Sequence, residues 1–63
     1  MSLSEARRVA DNPAAISAAS IRWLKTVSNT LVSHGKPEDA ARRLAISSEL
    51  IARIWHDMPQ SNA

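Results

Sequence analysis

Gly35 is the only glycine of the chain, and no stretch alternates apolar with polar residues in the period-two pattern of a half-buried strand. Ala, Leu, Arg and Glu, which sit in helices at little cost, supply much of the remainder. These two facts leave one fold class, an all-α chain forming a small three- to four-helix bundle.

At 63 residues the chain makes one domain, and a domain of this size buries only about 60% of its unfolded surface. Its core is drawn from aliphatic residues, because there are two Trp but no Phe or Tyr. With no Cys there is neither a disulfide staple nor a thiolate for metal or nucleophilic chemistry. That composition suits a reducing compartment, so a cytoplasmic location is expected. Small unstapled domains gain core by self-association, so a homodimer is expected as well. No apolar run approaches the ~20 residues of a membrane span. Met1 to Ala10 lacks the apolar centre of a secretion signal. The net charge of +2 permits an anionic partner without requiring one.

Local signals divide the chain. Ser2 and Glu5 have capping-box spacing, which starts a first helix over 3–10. Its sparse apolar residues leave residues 1–11 open to fraying. Asn12-Pro13 is a cap and first helical position, opening a helix over 13–34. Along it Ile16, Trp23, Leu24, Val27 and Leu31 share one face, with Arg22, Lys25 and Asn29 toward solvent. Gly35 is expected to close that helix in the left-handed conformation. Pro37, Glu38 and Asp39 suit the positive start of a third helix over 37–44. Ala45-Ile46-Ser47 reads as a turn, with Ser47 capping a fourth helix over 48–57. Pro59 stops that helix, and residues 59–63 are expected to be a loose tail.

Residues 37–56 resemble the helix-turn-helix unit of small bacterial and phage DNA-binding proteins. The resemblance rests on Ala41 where two helices cross, Leu44 before the turn, Ile46 within it, Ser47 after it, and Ile51 and Ile54 along the second helix. Ala45 departs from it, because that turn usually carries Gly, and a left-handed residue with a Cβ costs about 1 kcal/mol. The bundle is then expected to carry a helix-turn-helix in its C-terminal half, with Ala41, Leu44, Ile46, Ile51 and Ile54 converging inside.

The resemblance implies sequence-specific duplex DNA binding as a dimer, in transcription regulation. The last helix would enter the major groove. Arg53 would read a base, with Ser47, Ser48, Glu49, Ala52 and His56 on the same surface. Lys36, Arg42 and Arg43 would hold phosphates. Leu50, Trp55 and Met58 would meet a partner chain, since Trp anchors interfaces. The charge balance opposes DNA. Between Lys36 and Asp57 four bases (Lys36, Arg42, Arg43, Arg53) face four acids (Glu38, Asp39, Glu49, Asp57), and phosphate neutralisation supplies most non-specific affinity. The alternative is a protein–protein interaction module, an adaptor, inhibitor or assembly domain, that uses the apolar band of the last helix without binding DNA.

Enzyme chemistry is not expected. His34 and His56 are far apart with no metal-ligand spacing, a single Gly makes no phosphate loop, and no base stands beside a nucleophile. Neither a cofactor nor a metal is expected.

Overall fold

The computed structural model describes residues 1–57, all helix and short connections. Helix α1 spans Leu3–Ala10 and opens on Ser2, whose Oγ accepts the Glu5 N–H at 3.2 Å. It is docked along its length: Ala6 and Ala10 are buried, and Leu3 and Val9 pack on the core. Small residues on that face let α1 lie close to its neighbours.

Helix α2 spans Pro13–Ala18, with Asn12 Oδ1 accepting the N–H groups of Ala14 and Ala15. The single helix expected over 13–34 is broken. Ala19 and Ser20 are extended, and helix α3 runs Ile21–His34. The break has a local cause. Ser20 Oγ accepts the Trp23 N–H at 3.1 Å, which is the action of an N-cap. Along α3, Leu24, Val27, Thr30 and Leu31 are buried, while Arg22, Lys25 and Asn29 are exposed. Trp23, expected on the buried face, lies at its edge and is exposed.

Gly35 does not adopt the expected left-handed conformation; its φ is −70° and ψ 154°. Its N–H donates to the Leu31 carbonyl at 3.0 Å. Glycine is needed here for space, because a Cβ would run into that same carbonyl oxygen and crowd Asp39 Oδ2.

A 3-10 turn over Pro37–Asp39 leads into helix α4, Ala40–Asp57. The turn expected at Ala45-Ile46-Ser47 is absent. All three residues lie inside one continuous helix of 18 residues, so residues 37–57 do not form a helix-turn-helix. Nothing between Ala40 and Asp57 is Gly or Pro, and Ala45 resists the left-handed conformation such a turn needs. Ser47 therefore sits mid-helix and caps nothing.

The core comprises Ala6, Ala10, Ile16, Leu24, Val27, Leu31 and Ile46, with Leu50 packed at its edge. Ile46 is thus the one fully buried apolar residue that α4 supplies. Met58 and the tail 59–63 lie outside the described residues. Among the described residues no helix is long and apolar enough to cross a membrane.

Gly35→Ala tests the close approach behind α3. It is expected to lower unfolding free energy by about 1–3 kcal/mol, the usual cost of overpacking, in urea denaturation. Lys36→Ala, one residue on and exposed, should stay within about 0.5 kcal/mol of wild type.

Candidate interaction surface

What α4 presents to solvent depends on how it is rotated about its axis, and two polar clusters fix that rotation. The first is built on Asp39, whose side chain is fully enclosed. Its carboxylate accepts four hydrogen bonds. Arg7 donates from Nε at 2.9 Å and Nη2 at 2.8 Å, the Lys36 backbone N–H at 2.8 Å, and Arg42 Nη1 at 2.7 Å. Arg42 also reaches Asp11 with Nε at 2.9 Å and Nη2 at 3.0 Å, and Arg7 touches Glu38 at 3.4 Å. Five charges of alternating sign thus tie both ends of the α1 contact to the start of α4. The Arg7 hydrogen bonds, with those of Lys36 and Arg42, hold the Asp39 carboxyl far below the ordinary carboxylate range against the opposing effect of burial. Arg42 is pushed up by Asp11 and Asp39, and Arg7 by Asp39.

The second cluster is built on Arg53. Its Nη2 donates to the carbonyls of Ile16 at 2.8 Å and Ser17 at 2.7 Å, its Nη1 to the Ala19 carbonyl, and its Nε to Glu49 at 3.1 Å. The last turn of α2 has no basic residue of its own. A helix C-terminus leaves carbonyls unpaired and carries partial negative charge, and Arg53 answers both from α4.

With Arg42, Ile46 and Arg53 facing the body, the opposite half of α4 faces out. At 3.6 residues per turn, Ala40, Ala41, Leu44, Ala45, Ser47, Ser48, Ile51, Ala52, Ile54 and Trp55 occupy an arc of about 180° with no charge in it. Leu44 is 67% exposed, Ile51 56%, Ile54 47% and Trp55 70%. Every charged side chain of the helix (Arg42, Arg43, Glu49, Arg53, Asp57) lies on the other half. The helix is amphipathic in the inverted sense, with charge toward the domain and apolar groups toward water.

The residues expected to contact DNA are dispersed by this arrangement. Ser48, Ala52 and His56 are exposed on α4, and Lys36 is exposed before it. Arg53, the expected base reader, is engaged with Glu49 and with the end of α2. Arg42 is engaged with two carboxylates, while Arg43 and Ser47 are half-buried. Leu44, Ile51 and Ile54, expected inside, are outside, and Ala41 is exposed beside them. Of the expected partner contacts, Trp55 is fully available and Leu50 is half-buried at the core edge. The sequence assigns Asp39 only to a helix start and gives Arg7 and Asp11 no role, so it does not bring the three together. A signal for Asp39 did exist, since an acid three residues after a helix-opening Lys36 can accept the cap's backbone N–H. Among the described residues, no group of three or more His, Cys, Asp or Glu could hold a metal.

Two predictions follow from the clusters. Between the ordinary carboxylate pKa near 4 and the lowered folded value of Asp39, the unfolded chain binds a proton that the folded chain does not. Asp39 therefore contributes its full stability above about pH 4, and that contribution drains away as pH falls further. Thermal melts should show a midpoint falling steeply below about pH 4. In Asp39→Asn the midpoint should be lower at pH 7 and the acid slope flatter; an unchanged slope would remove Asp39 from the account. Arg53→Lys, which keeps charge but loses the planar fork, should cost about 1–3 kcal/mol in urea denaturation. Trp55→Ser, at dilute protein, should cost less than about 0.5 kcal/mol.

In comparisons of sequence and fold, no protein-family model, no curated protein and no solved structure matches the chain.

Proposed function

We propose that this chain is a protein-interaction module whose binding surface is the outward face of α4. One observation carries the reading: the uncharged half of the helix, with Leu44, Ile51, Ile54 and Trp55 exposed, lies opposite its only fully buried residue, Ile46. Scattered surface hydrophobics are ordinary, but a contiguous apolar patch marks a site of association. This patch also holds a Trp, the residue type most enriched in interface anchors. It lies on a rigid helix held at two points, so its shape is set before a partner arrives, which lowers the ordering cost of binding.

Sequence-specific DNA binding has weaker support. Its best reading residue, Arg53, has its guanidinium committed to three carbonyls and Glu49, and Arg42 is committed to Asp39 and Asp11. An apolar strip offers the phosphate backbone nothing.

The test is site-resolved photocrosslinking in extract of the source cells. A photoreactive side chain at Ser48 or Ile51 should give discrete adducts, and one at Lys25 or Asn29 on α3 should not. Adducts from both faces alike, or none from α4, would overturn the assignment. Duplex binding in the micromolar range, read by anisotropy at low salt, lost in Arg43→Ala with Lys36→Ala and unaffected by Ile51→Ser, would replace it.

A further inference from the structure

We propose that the break between α2 and α3 is a hinge latched by Arg53. Residues 13–34 have a second state, one continuous helix, which the chain enters when α4 withdraws that latch. The proposal goes beyond the interaction-module reading and stands whatever α4 binds.

The hinge residues have little local reason to bend. No Gly or Pro lies between Pro13 and Gly35, and Ala is the best helix former. Ala19 has φ −74° and ψ 147°, and Ser20 has φ −72° and ψ 161°. Both φ values already lie in the helical range, so only the two ψ angles separate the bent chain from a straight one. Straightened, the chain carries Ile16 in line with Leu24, Val27 and Leu31, at steps of three and four through Ser20.

Arg53 competes with that state for its acceptors. A helix running through would use the carbonyls of Ile16, Ser17, Ala18 and Ala19 to accept the N–H groups of Ser20, Ile21, Arg22 and Trp23. Arg53 holds three of those four carbonyls, those of Ile16, Ser17 and Ala19. Ser20 Oγ holds the Trp23 N–H. Side-chain hydrogen bonds thus stand where backbone ones would form. Ser20 is local and is present in any state of the chain. Arg53 is in place only while α4 is docked, so the bend depends on α4.

The dependence runs both ways. Helix α1 follows α2 through Asp11 and Asn12, so straightening draws Arg7 off Asp39 and Asp11 off Arg42, the ion pairs that tie α1 to α4. In the docked chain the enclosed Asp39 opposes this, because losing Arg7 would leave its charge short of partners. Release of α4 and joining of α2 to α3 are therefore one event.

Amide exchange in the full chain reads the hinge directly. In the bent chain the N–H groups of Ile21 and Arg22 belong to a helix start, where backbone acceptors are missing. Arg53→Met keeps an unbranched stem and removes every donor. In that variant the Ser20, Ile21 and Arg22 amides should exchange at least about tenfold more slowly than in wild type, and the Cα chemical shifts of Ala19 and Ser20 should move to helical values. Ser20→Ala, which leaves Arg53 in place, should keep the fast exchange. Ile21→Pro is the opposing control. Pro suits the first position of α3 and an extended residue before it, and it denies a joined helix the N–H at position 21. Added to Arg53→Met, it should abolish the protection at Ser20 and Arg22.

Fast exchange with extended shifts at Ala19 and Ser20 in Arg53→Met would overturn the latch, as would protection gained by Ser20→Ala alone. If Arg53→Met loses its fold, recovery of a cooperative melt on adding Ile21→Pro supports the hinge, and no recovery overturns it.

Discussion

The enclosed carboxylate of Asp39 is the constraint from which the rest of the architecture follows. A buried charge without partners costs several kcal/mol, and Asp39 can be enclosed only because two guanidiniums and a backbone N–H converge on it. Arg7 arrives from α1, Arg42 from the first turn of α4, and the Lys36 amide from the connection between α3 and α4. Three separate parts of the chain are thereby brought to one point. Such a network has value for specificity more than for net stability, since a hydrophobic replacement can be equally stable. What it specifies here is rotation. With Arg42 held inward, residues four, seven and eleven positions later (Ile46, Glu49 and Arg53) must follow it inward.

Arg53 reinforces the same rotation from the other end of α4. The interruption at Ala19-Ser20 leaves the last α2 carbonyls short of helical partners, and the guanidinium fork fits those of Ile16, Ser17 and Ala19 at once. The two Arg clusters therefore act on one rigid body at two separated points. Neither uses an apolar contact, and the apolar contacts of α4 with the core reduce to Ile46 and Leu50. That division explains how a helix rich in aliphatic residues can dock by its polar side.

The features legible in the sequence were those settled within a few residues. Ser2 and Asn12-Pro13 marked helix starts because the capping groups and the amides they satisfy are neighbours in the chain. The buried face of α3 was legible through Leu24, Val27 and Leu31, whose spacing repeats over a long helix. The α2–α3 break was hidden because Ala18 and Ala19 are strong helix formers, and the compensation comes from Arg53, 34 residues away. The turn expected at residues 45–47 was inferred from residue types that also suit a plain helix, and the local propensity for helix prevailed. For Gly35, type alone suggested a left-handed residue, whereas the actual requirement is the space beside the Leu31 carbonyl, a contact made by backbone. Periodicity along α4 grouped Leu44, Ile51 and Ile54 but joined Ile46 to them, which the unbroken helix sets on the opposite side, and it carries no sign: the same spacing describes a face turned toward the core or away from it. The sign came from Arg7 and Asp11, more than 30 residues distant from their partners.

Consider α4 turned by half a revolution, so that Leu44, Ile51 and Ile54 face inward as the sequence pattern has them. Leu44, Ile51 and Trp55 would gain burial worth about 1.5–3 kcal/mol each, more than Ile46 and Leu50 supply now. Asp39 would lose Arg42, the α2 carbonyls would lose Arg53, and both arginines would point at water. In an isolated copy the first effect is large enough to compete with the second. An inward polar face is therefore most stable when the outward one is also buried, since covering it recovers the apolar term without disturbing either cluster. On the proposed interaction-module reading, a 63-residue chain, with little core of its own, keeps its largest apolar strip for association and uses charge to hold that strip in place.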